Sequence, residues 1–178
     1  DYKHLLFTTG AIRLSLTVPK GHFDAIRTYN KLACRAFDLV RIITCPRDVM
    51  VSAKRFQDAD HVGAAHIRNS NVVHEASMEL LKMGVEYISI RDELYAQIIK
   101  QLNENPNDES RWCAWVVLLL YLRTFSPSFD ILWHVRCHIY HVLLYVEVKL
   151  CEQREQKHDR NYMAGLVTIA KLCIVLLD

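Results

Sequence analysis

The residues most suggestive of chemistry lie in one short stretch, where three histidines follow each other at helical spacing. His134, His138 and His141 stand at positions i, i+4 and i+7, so on a helix their imidazoles share a face. Neutral imidazole is a good zinc ligand, and Cys137 lies in the same stretch. However, the glutamate of an HExxH protease is absent, and no second ligand group follows at a diagnostic spacing. We therefore interpret the stretch as the polar flank of a helix and predict no metal site, with a zinc-binding helical protein as the alternative.

The common signatures of nucleotide binding and hydrolysis are absent from the sequence. Five scattered glycines supply neither GxGxxG nor GxxxxGK[ST], and no GxSxG elbow occurs. No position marks a Cys–His nucleophile pair. We therefore predict that the protein is not an enzyme and has neither a catalytic residue nor a cofactor.

Composition points to one well-packed domain. The chain has 178 residues, 51% of them hydrophobic, with only five Gly and four Pro. Six widely spaced Cys without a CxxC pair are typical of reduced thiols in a cytoplasmic protein. The longest apolar run, residues 113–122, is too short to span a bilayer, so we predict no transmembrane segment. A net charge of +2 argues against a nucleic-acid binder, and the missing initiator Met suggests a fragment of a longer chain.

Apolar residues recur at a helical period along most of the chain, so helices must position these side chains. Predicted helices begin near Asp24, Ser70, Ser89, Asp108 or Ser110, Ser126 and Tyr162, with one short helix over 49–56. Residues 1–23 are predicted to form an irregular N-terminal arm, and residues 24–178 a helical domain. The predicted fold is an all-α, compact multi-helix bundle of about six or seven helices.

Local signals predict where several of these helices begin and end. Ser89 and Asp92 have the spacing of a capping box, and Asp108 or Ser110 is predicted to cap the following helix. Ser126-Pro127 has a serine cap with proline at the first helical position. Gly84 is predicted to end the second long helix, and Pro46 the first.

The helix predicted after Asp108 is apolar nearly all round and is therefore expected to lie at the centre of the bundle. Trp112 and Trp115 fall on it, and Trp133 falls on the next helix. We predict core packing for all three rather than an aromatic ligand cage.

Charge is unevenly distributed along the chain. The first 55 residues hold ten Lys and Arg against four Asp and Glu, whereas the remainder holds twelve against sixteen. Arg27, Lys31 and Arg35 recur every four residues and would form one stripe on a helix, with Arg41 and Arg47 further along. We predict that this stripe binds an acidic partner, the alternative being a solvated helix face without a partner.

A series of polar and aromatic residues occupies the middle of the chain at fixed spacings. Its members are Arg91, Asp92, Glu93, Tyr95, Gln97, Lys100, Gln101, Asn105, Pro106, Trp115, Pro127 and Ser128. In order and spacing this series resembles the signature of the MyTH4 (myosin tail homology 4) domain, R-D-E-[IL]-Y-x-Q-x-x-K-Q, N-P, G-W and F-x-P-S. The resemblance is best over residues 70–140, and Ala114 stands where the family has glycine before the tryptophan.

The resemblance implies a helical, non-enzymatic module of unconventional myosins, some plant kinesins, PH–MyTH4–FERM proteins and certain RhoGAPs. Such modules bind microtubules or partner peptides, usually beside a FERM domain, and the signature residues would be structural. It implies a cytoskeleton-associated protein with an adjacent FERM domain in its parent chain. The alternative is an adaptor whose groove between helices binds a peptide of a cargo or signalling protein.

Overall fold

The computed structural model describes the backbone of residues 23–44, 62–152 and 157–177, and the side chains of 25–44, 71–146 and 162–177. Within these ranges the elements are α1 (Phe23–Thr44), α2 (Val62–Glu86), a 3₁₀ helix (Ile88–Ile90), α3 (Arg91–Leu102), α4 (Asp108–Thr124), α5 (Phe129–Glu152) and α6 (Lys157–Leu177). No strand occurs among the described residues. The predicted all-α bundle is confirmed, with six α-helices in this part of the chain.

Two helices begin earlier than their apolar pattern predicts. α2 starts at Val62 and not near Ser70, and it continues past Gly84 to Glu86. α6 starts at Lys157 and not at Tyr162. In both cases the added residues are mostly polar or small, and such residues can be helical without contributing an apolar periodicity.

The predicted capping interactions are wrong at three helix starts. Ser89 lies inside the 3₁₀ helix, and α3 has no side-chain cap. α4 is capped by Asn107, whose side chain accepts from the Ser110 amide, and neither Asp108 nor Ser110 is the cap. α5 begins at Phe129, because Ser126-Pro127 belongs to an extended link after α4. A cap depends on which residue directly precedes the first helical turn, and an apolar pattern fixes that residue only to within one or two positions.

α3 is the helix that its neighbours cover most completely. Ten of its twelve residues are buried, and it packs against α1, α4 and α5. α4 also lies inside the bundle, against α1, α2, α3 and α6, but Trp112, Val116 and Leu120 on one side keep more than a third of their surface exposed. The prediction that α4 is covered all round is therefore wrong on this one side.

The three tryptophans do not share one environment. Trp115 is buried, as predicted, whereas Trp112 is 38% exposed and Trp133 is 69% exposed. Core packing was the wrong prediction for Trp133, since α5 is apolar on more than one side and only one side faces the core. Hydrophobicity alone does not indicate which side that is.

Some predictions fall outside the described residues. These are Pro46 as a helix end, the short helix over 49–56, and nearly all of the arm over 1–23. The division into 1–23 and 24–178 therefore stays a prediction. None of the described helices is both long enough and apolar enough to cross a membrane.

Candidate functional site

The predicted basic stripe lies on the solvent side of α1. Arg27, Lys31 and Arg35, here called the basic face, are all exposed. The opposite side of the helix, including Ala33 and Val40, is fully buried in the core. α1 is therefore amphipathic, and core packing keeps the three cations turned towards solvent.

One member of the basic face is bound to the neighbouring helix. Arg35 donates from Nε to Oε1 of Glu79 at 2.8 Å and from a terminal nitrogen to Oε2 at 2.6 Å, a bidentate pair between α1 and α2. Each partner favours the charged form of the other: the Glu79 hydrogen bond raises the pKa of Arg35, and the Arg35 hydrogen bond lowers the pKa of Glu79. The pair is nonetheless open to solvent, with side-chain exposures of 52% and 43%.

The two remaining basic residues of the prediction are Arg41 and Arg47. Arg41 is half-buried and lies 3.7 Å from the Asp38 carboxylate one turn earlier. Arg47 lies outside the described residues. The structure thus places Arg27, Lys31 and Arg35 on one exposed side of α1, whereas Arg41 is less exposed and lies beside Asp38.

Several signature residues of α3 are buried, and some of them connect helices. Gln97 is fully buried on α3, and its Nε2 donates to the Ala33 carbonyl of α1 at 2.8 Å and to the Glu93 carboxylate at 2.8 Å. Glu93 and Gln101 are also fully buried. The hydrogen bond from Gln97 to Ala33 thus links α3 to α1 inside the core, where a polar pair favours one specific register.

Tyr95 and Arg91 connect α3 to the end of α4 and the end of α2. The Tyr95 hydroxyl donates to the Phe125 carbonyl at 2.7 Å, and burial raises its pKa. Arg91 Nε donates to the Gly84 carbonyl at 2.7 Å, and the guanidinium lies over the Phe125 ring, 5.6 Å from its centre. Tyr121 packs against both rings, with centroids 5.7 Å from Tyr95 and 5.1 Å from Phe125. Gly84, Arg91, Tyr95, Tyr121 and Phe125 form what we call the aromatic joint.

Asp92 connects α3 to the first turn of α5. Its carboxylate accepts from the Ser128 amide at 3.0 Å and from the Ser128 hydroxyl at 2.6 Å. The Ser128 carbonyl in turn accepts from the Leu132 amide and so opens α5. A carboxylate at this place also interacts favourably with the positive end of the helix dipole.

Asn105 organises the turn from α3 to α4. Its Nδ2 donates to the Gln101 carbonyl at 2.9 Å and to the Ser110 hydroxyl at 3.0 Å, and its Oδ1 accepts from the Asn107 amide. Glu104, with φ of 52°, makes the left-handed turn that precedes it. Pro106 follows in the same turn, where no amide donor is required.

The remaining signature residues are packing positions. Trp115 is buried on α4, and Pro127 is partly buried in the link to α5. Lys100 is only 7% exposed, and burial lowers its pKa. An amine largely withdrawn from water serves packing better than surface recognition.

The three histidines of the stretch do not share one environment. His138 turns inward and stacks on Trp115, with ring centroids 6.1 Å apart, whereas His134 and His141 remain exposed. Burial, with a smaller contribution from His141, lowers the pKa of His138 to about 4. Among the described residues, no group of three or more His, Cys, Asp or Glu could hold a metal ion.

Comparison with models of known protein families identifies the family, and the matched segment includes the signature residues from Arg91 to Ser128. The family model of the MyTH4 domain matches residues 77–166, just over half of the chain. The chain belongs to the MyTH4 family. It is a MyTH4 domain of the kind found in unconventional myosins, a cytoskeleton-associated module.

The curated relatives include several myosins, each matched over a part of this chain. The chain is 40% identical over 52 residues to the high molecular weight form of myosin-1 of Acanthamoeba castellanii, covering 29% of this chain and 3% of the relative. It is 51% identical over 39 residues to unconventional myosin-VIIb of Mus musculus, covering 22% and 2%. Myosin-VIIa of Drosophila melanogaster is 38% identical over 56 residues, covering 32% and 3%. The chain thus spans only about 2–3% of the length of these relatives.

A solved structure shares the fold. The MyTH4–FERM MF1 domain of Dictyostelium discoideum myosin VII superimposes with a TM-score of 0.62 over 95% of this chain and 28% of that chain. Sequence identity is 17%, so this likeness shows the fold alone.

The MyTH4 domain also has a feature that its sequence did not reveal. Five large apolar residues among the described side chains of α5 are at least half exposed. Four of them lie along one side of the helix, which we call the outer seam: Phe129, Trp133, Tyr140 and Leu144. The fifth, Tyr145, falls on another side. The outer seam's spacing of four, seven and four residues was available in the sequence, but so was the spacing of the buried set on the same helix. Two apolar patterns on one helix leave open which of them faces the core.

Proposed function

We propose that this MyTH4 domain is a non-enzymatic interaction module that binds an acidic partner, microtubules, through the basic face of α1. The main support is that Arg27 and Lys31 are exposed and make no ion pair with any residue that the structure describes. Unpaired cations one turn apart attract a polyanionic surface, and their field is screened by salt. The kinship with unconventional myosins supports a cytoskeletal partner.

Arg35 is available to such a partner at small cost. Its pair with Glu79 is exposed on both sides, and exposed pairs contribute about 0–1 kcal/mol. An acidic segment that approaches Arg27 and Lys31 can therefore compete with Glu79 for the guanidinium. Glu79 then acts as an internal competitor that weakens binding without preventing it.

Microtubule co-sedimentation tests the proposal. The variant R27E/K31E is compared with R123E/K171E, which makes the same change of charge at exposed residues of α4 and α6. We expect R27E/K31E to weaken pelleting about tenfold or more at low salt, since two attractive contacts become repulsive. The control should stay within about threefold of wild type, and added salt should weaken wild-type binding. Equal pelleting of the two variants would refute the basic face as the binding site.

A second variant refines the role of Arg35. E79Q removes the competing carboxylate and leaves the rest of α2 unchanged. We expect it to bind microtubules more tightly than wild type, by about two- to fivefold, because Arg35 is released to the partner. If E79Q binds no more tightly than wild type, Arg35 does not take part.

We also infer that the parent chain is a cytoplasmic protein with a FERM domain next to this module. The support is the fold shared with a MyTH4–FERM chain, of which this domain covers 28%. The sequence of the full-length transcript tests this directly. A parent chain without a FERM domain would overturn this inference.

An adaptor that binds peptides in a groove is a second candidate, supported by a separate feature of α4. Trp112, Val116 and Leu120 recur every four residues, and each is between 36% and 38% exposed. Such a half-buried apolar row matches the anchors of an amphipathic helical segment. Isothermal titration at two salt concentrations separates the candidates, since groove binding tolerates salt and depends on Val116 and Leu120. Binding of a partner segment that is unaffected by V116D/L120D would exclude this row.

A further inference from the structure

The outer seam of α5 follows one side of the helix for most of its described length. Phe129 is 89% exposed, Trp133 69%, Tyr140 50% and Leu144 65%. At 1.5 Å per residue the four side chains cover about 23 Å of helix. Their spacing keeps them within a narrow arc, so they form a continuous apolar strip.

The side chains of α5 that pack into the core are not those of this strip. Val135, Ile139, Leu143 and Val146 form the buried side of α5, and α3 and α6 pack against the helix. The outer seam lies on a different side, and none of the described helices covers it. The sequence thus gives α5 two apolar sides, of which the fold uses one.

The strip is large enough to form the centre of an interface. An aromatic side chain presents about 150–250 Å², so the exposed fractions of the four residues amount to about 600 Å². The largest apolar patch of a typical monomer is about 300–600 Å², and a standard interface buries about 800 Å² on each partner. The flanking Cys137, His134 and His141, which are also exposed, can supply the remainder.

Charge on this side of the helix favours an apolar occupant. Among the exposed side chains of residues 129–146, Asp130 is the only Asp, Glu, Lys or Arg. Arg136 is half-buried and donates to the Leu177 carbonyl of α6 at 2.7 Å. The outer seam therefore has few charged side chains with which a charged partner could form ion pairs. Two copies of the outer seam can face each other with little like-charge repulsion.

The arrangement of the outer seam is symmetrical about its own midpoint. Phe129 and Leu144 stand equally far from the point between residues 136 and 137, and so do Trp133 and Tyr140. When the helix is placed antiparallel to a second copy, Phe129 faces Leu144 of the second copy and Trp133 faces its Tyr140. A twofold interface requires this self-complementarity, whereas a different partner protein does not.

We propose that two copies of this chain associate through antiparallel packing of their α5 outer seams. The interface is separate from the basic face of α1, so it does not depend on the proposed microtubule binding. A total buried area of about 1,200 Å² lies at the lower end of specific interfaces, and we expect a dissociation constant of about 1–100 μM.

Sedimentation velocity of the purified chain from about 1 to 200 μM tests the proposal. Wild type should pass from monomer to dimer over this range, and W133E/L144E should stay monomeric throughout. M78E/V175E is the matched control, because Met78 is 56% and Val175 72% exposed on α2 and α6; it should dimerise like wild type. Circular dichroism verifies that both variants are folded, and single W133E and L144E variants replace the double one if it is not.

A wild-type protein that stays monomeric at 200 μM overturns the proposal and leaves the outer seam to another occupant. Dimerisation that W133E/L144E does not weaken, or that the control abolishes equally, overturns it as well. Cross-linking tests the register, since Cys137 lies beside the expected twofold axis. A short bis-maleimide should give a dimer band that C137S removes; a band of the same intensity in C137S would refute the register.

Discussion

α3 and α5 are neighbours that use polar and apolar residues in opposite ways. α3 is buried along almost its whole length, and it carries Glu93, Gln97 and Gln101 into the core. α5 is richer in apolar residues, yet it leaves Trp133 and other large side chains in water. The polar residues of α3 bond across to other helices, as Gln97 does to α1.

The contrast separates the residues that identify the family from those that we propose to bind partners. The signature residues of α3 and the turns beside it form joints between helices, and few of them offer a group to a ligand. Residues that face outward, on α1 and α5, lie outside this signature or at its end. If the proposed surfaces bind partners, proteins that share this signature and fold can differ in partner, because different parts of the chain serve the two purposes.

The largest effect is expected at the aromatic joint. A Cβ atom added at Gly84 would lie 2.7 Å from Cδ1 of Phe125 and closer still to the next ring atoms. The ring cannot move easily, since it packs between Tyr95, Tyr121 and the Arg91 guanidinium. We expect Gly84→Ala to be destabilised by about 3 kcal/mol or more relative to the matched variant Gly165→Ala.

Gly165 is a suitable control because it also lies inside a helix and gains the same helix propensity from alanine. An added Cβ there would approach only the edge of the partly exposed Trp112, at 3.1 Å. Urea unfolding of the two variants measures the difference directly. Equal stabilities would mean that the aromatic joint adapts to the added methyl group. The contacts of α3 would then be no more rigid than those of α5.

A second prediction concerns the one buried polar ring on α5. His138 Nε2 is buried and has no hydrogen-bond partner among the described residues, and the pKa of His138 is lowered from 6.5 to about 4. Below pH 6.5 the unfolded chain binds a proton that the folded chain does not, so stability falls as the pH falls towards 4. The loss attributable to this residue is about 2–3 kcal/mol between pH 7 and pH 4.

His138→Phe keeps an aromatic ring against Trp115 and removes the titration. Other groups contribute to the acid sensitivity of both proteins, so the informative quantity is the difference between their slopes of stability against pH. Wild type should lose about 2–3 kcal/mol more than the variant between pH 7 and pH 4. Parallel slopes would show that the His138 ring is solvated in solution. α5 would then have no buried polar ring that lowers the folding stability at acidic pH.

The sequence predicted the helices because helix formation follows local periodicity. It also placed Arg27, Lys31 and Arg35 on one side of α1, since that depends only on 3.6 residues per turn. The resemblance selected the residues from Arg91 to Ser128 by type and spacing. Those observations suffice for the class of fold and for the family.

What the sequence did not predict depends on contacts between distant residues. Glu79 pairs with Arg35 across 44 positions, and Asp92 binds Ser128 across 36, where the local pattern suggested a capping box with Ser89. The exposure of Trp133 has the same origin, since it depends on how α3 and α6 cover α5. Local spacing carries no information about such pairings until the topology is known.

The smallest effect is expected where the two compared helices are joined. Asp92 on α3 accepts two hydrogen bonds from Ser128, at the first turn of α5. Both residues are close to solvent, so water can replace part of what the joint provides, and Asp92→Ala should be destabilised by about 1 kcal/mol. Asp130→Ala, in the first turn of α5, is the control and should change stability by only a few tenths of a kcal/mol.

A double-mutant cycle with Ser128→Ala determines whether the joint acts as a unit. Ser128→Ala retains the amide that donates to Asp92 and loses the hydroxyl, so a coupling of about 0.5 kcal/mol reports the hydroxyl bond alone. Additive effects would mean that α5 is held to α3 by apolar packing at Val135 and Ile139 and that Asp92 serves the helix end only through its charge. A measurable coupling would mean that Asp92 and Ser128 form a polar connection between α3 and α5 like those that α3 makes with its other neighbours. The contrast between the two helices would then begin only beyond the first turn of α5.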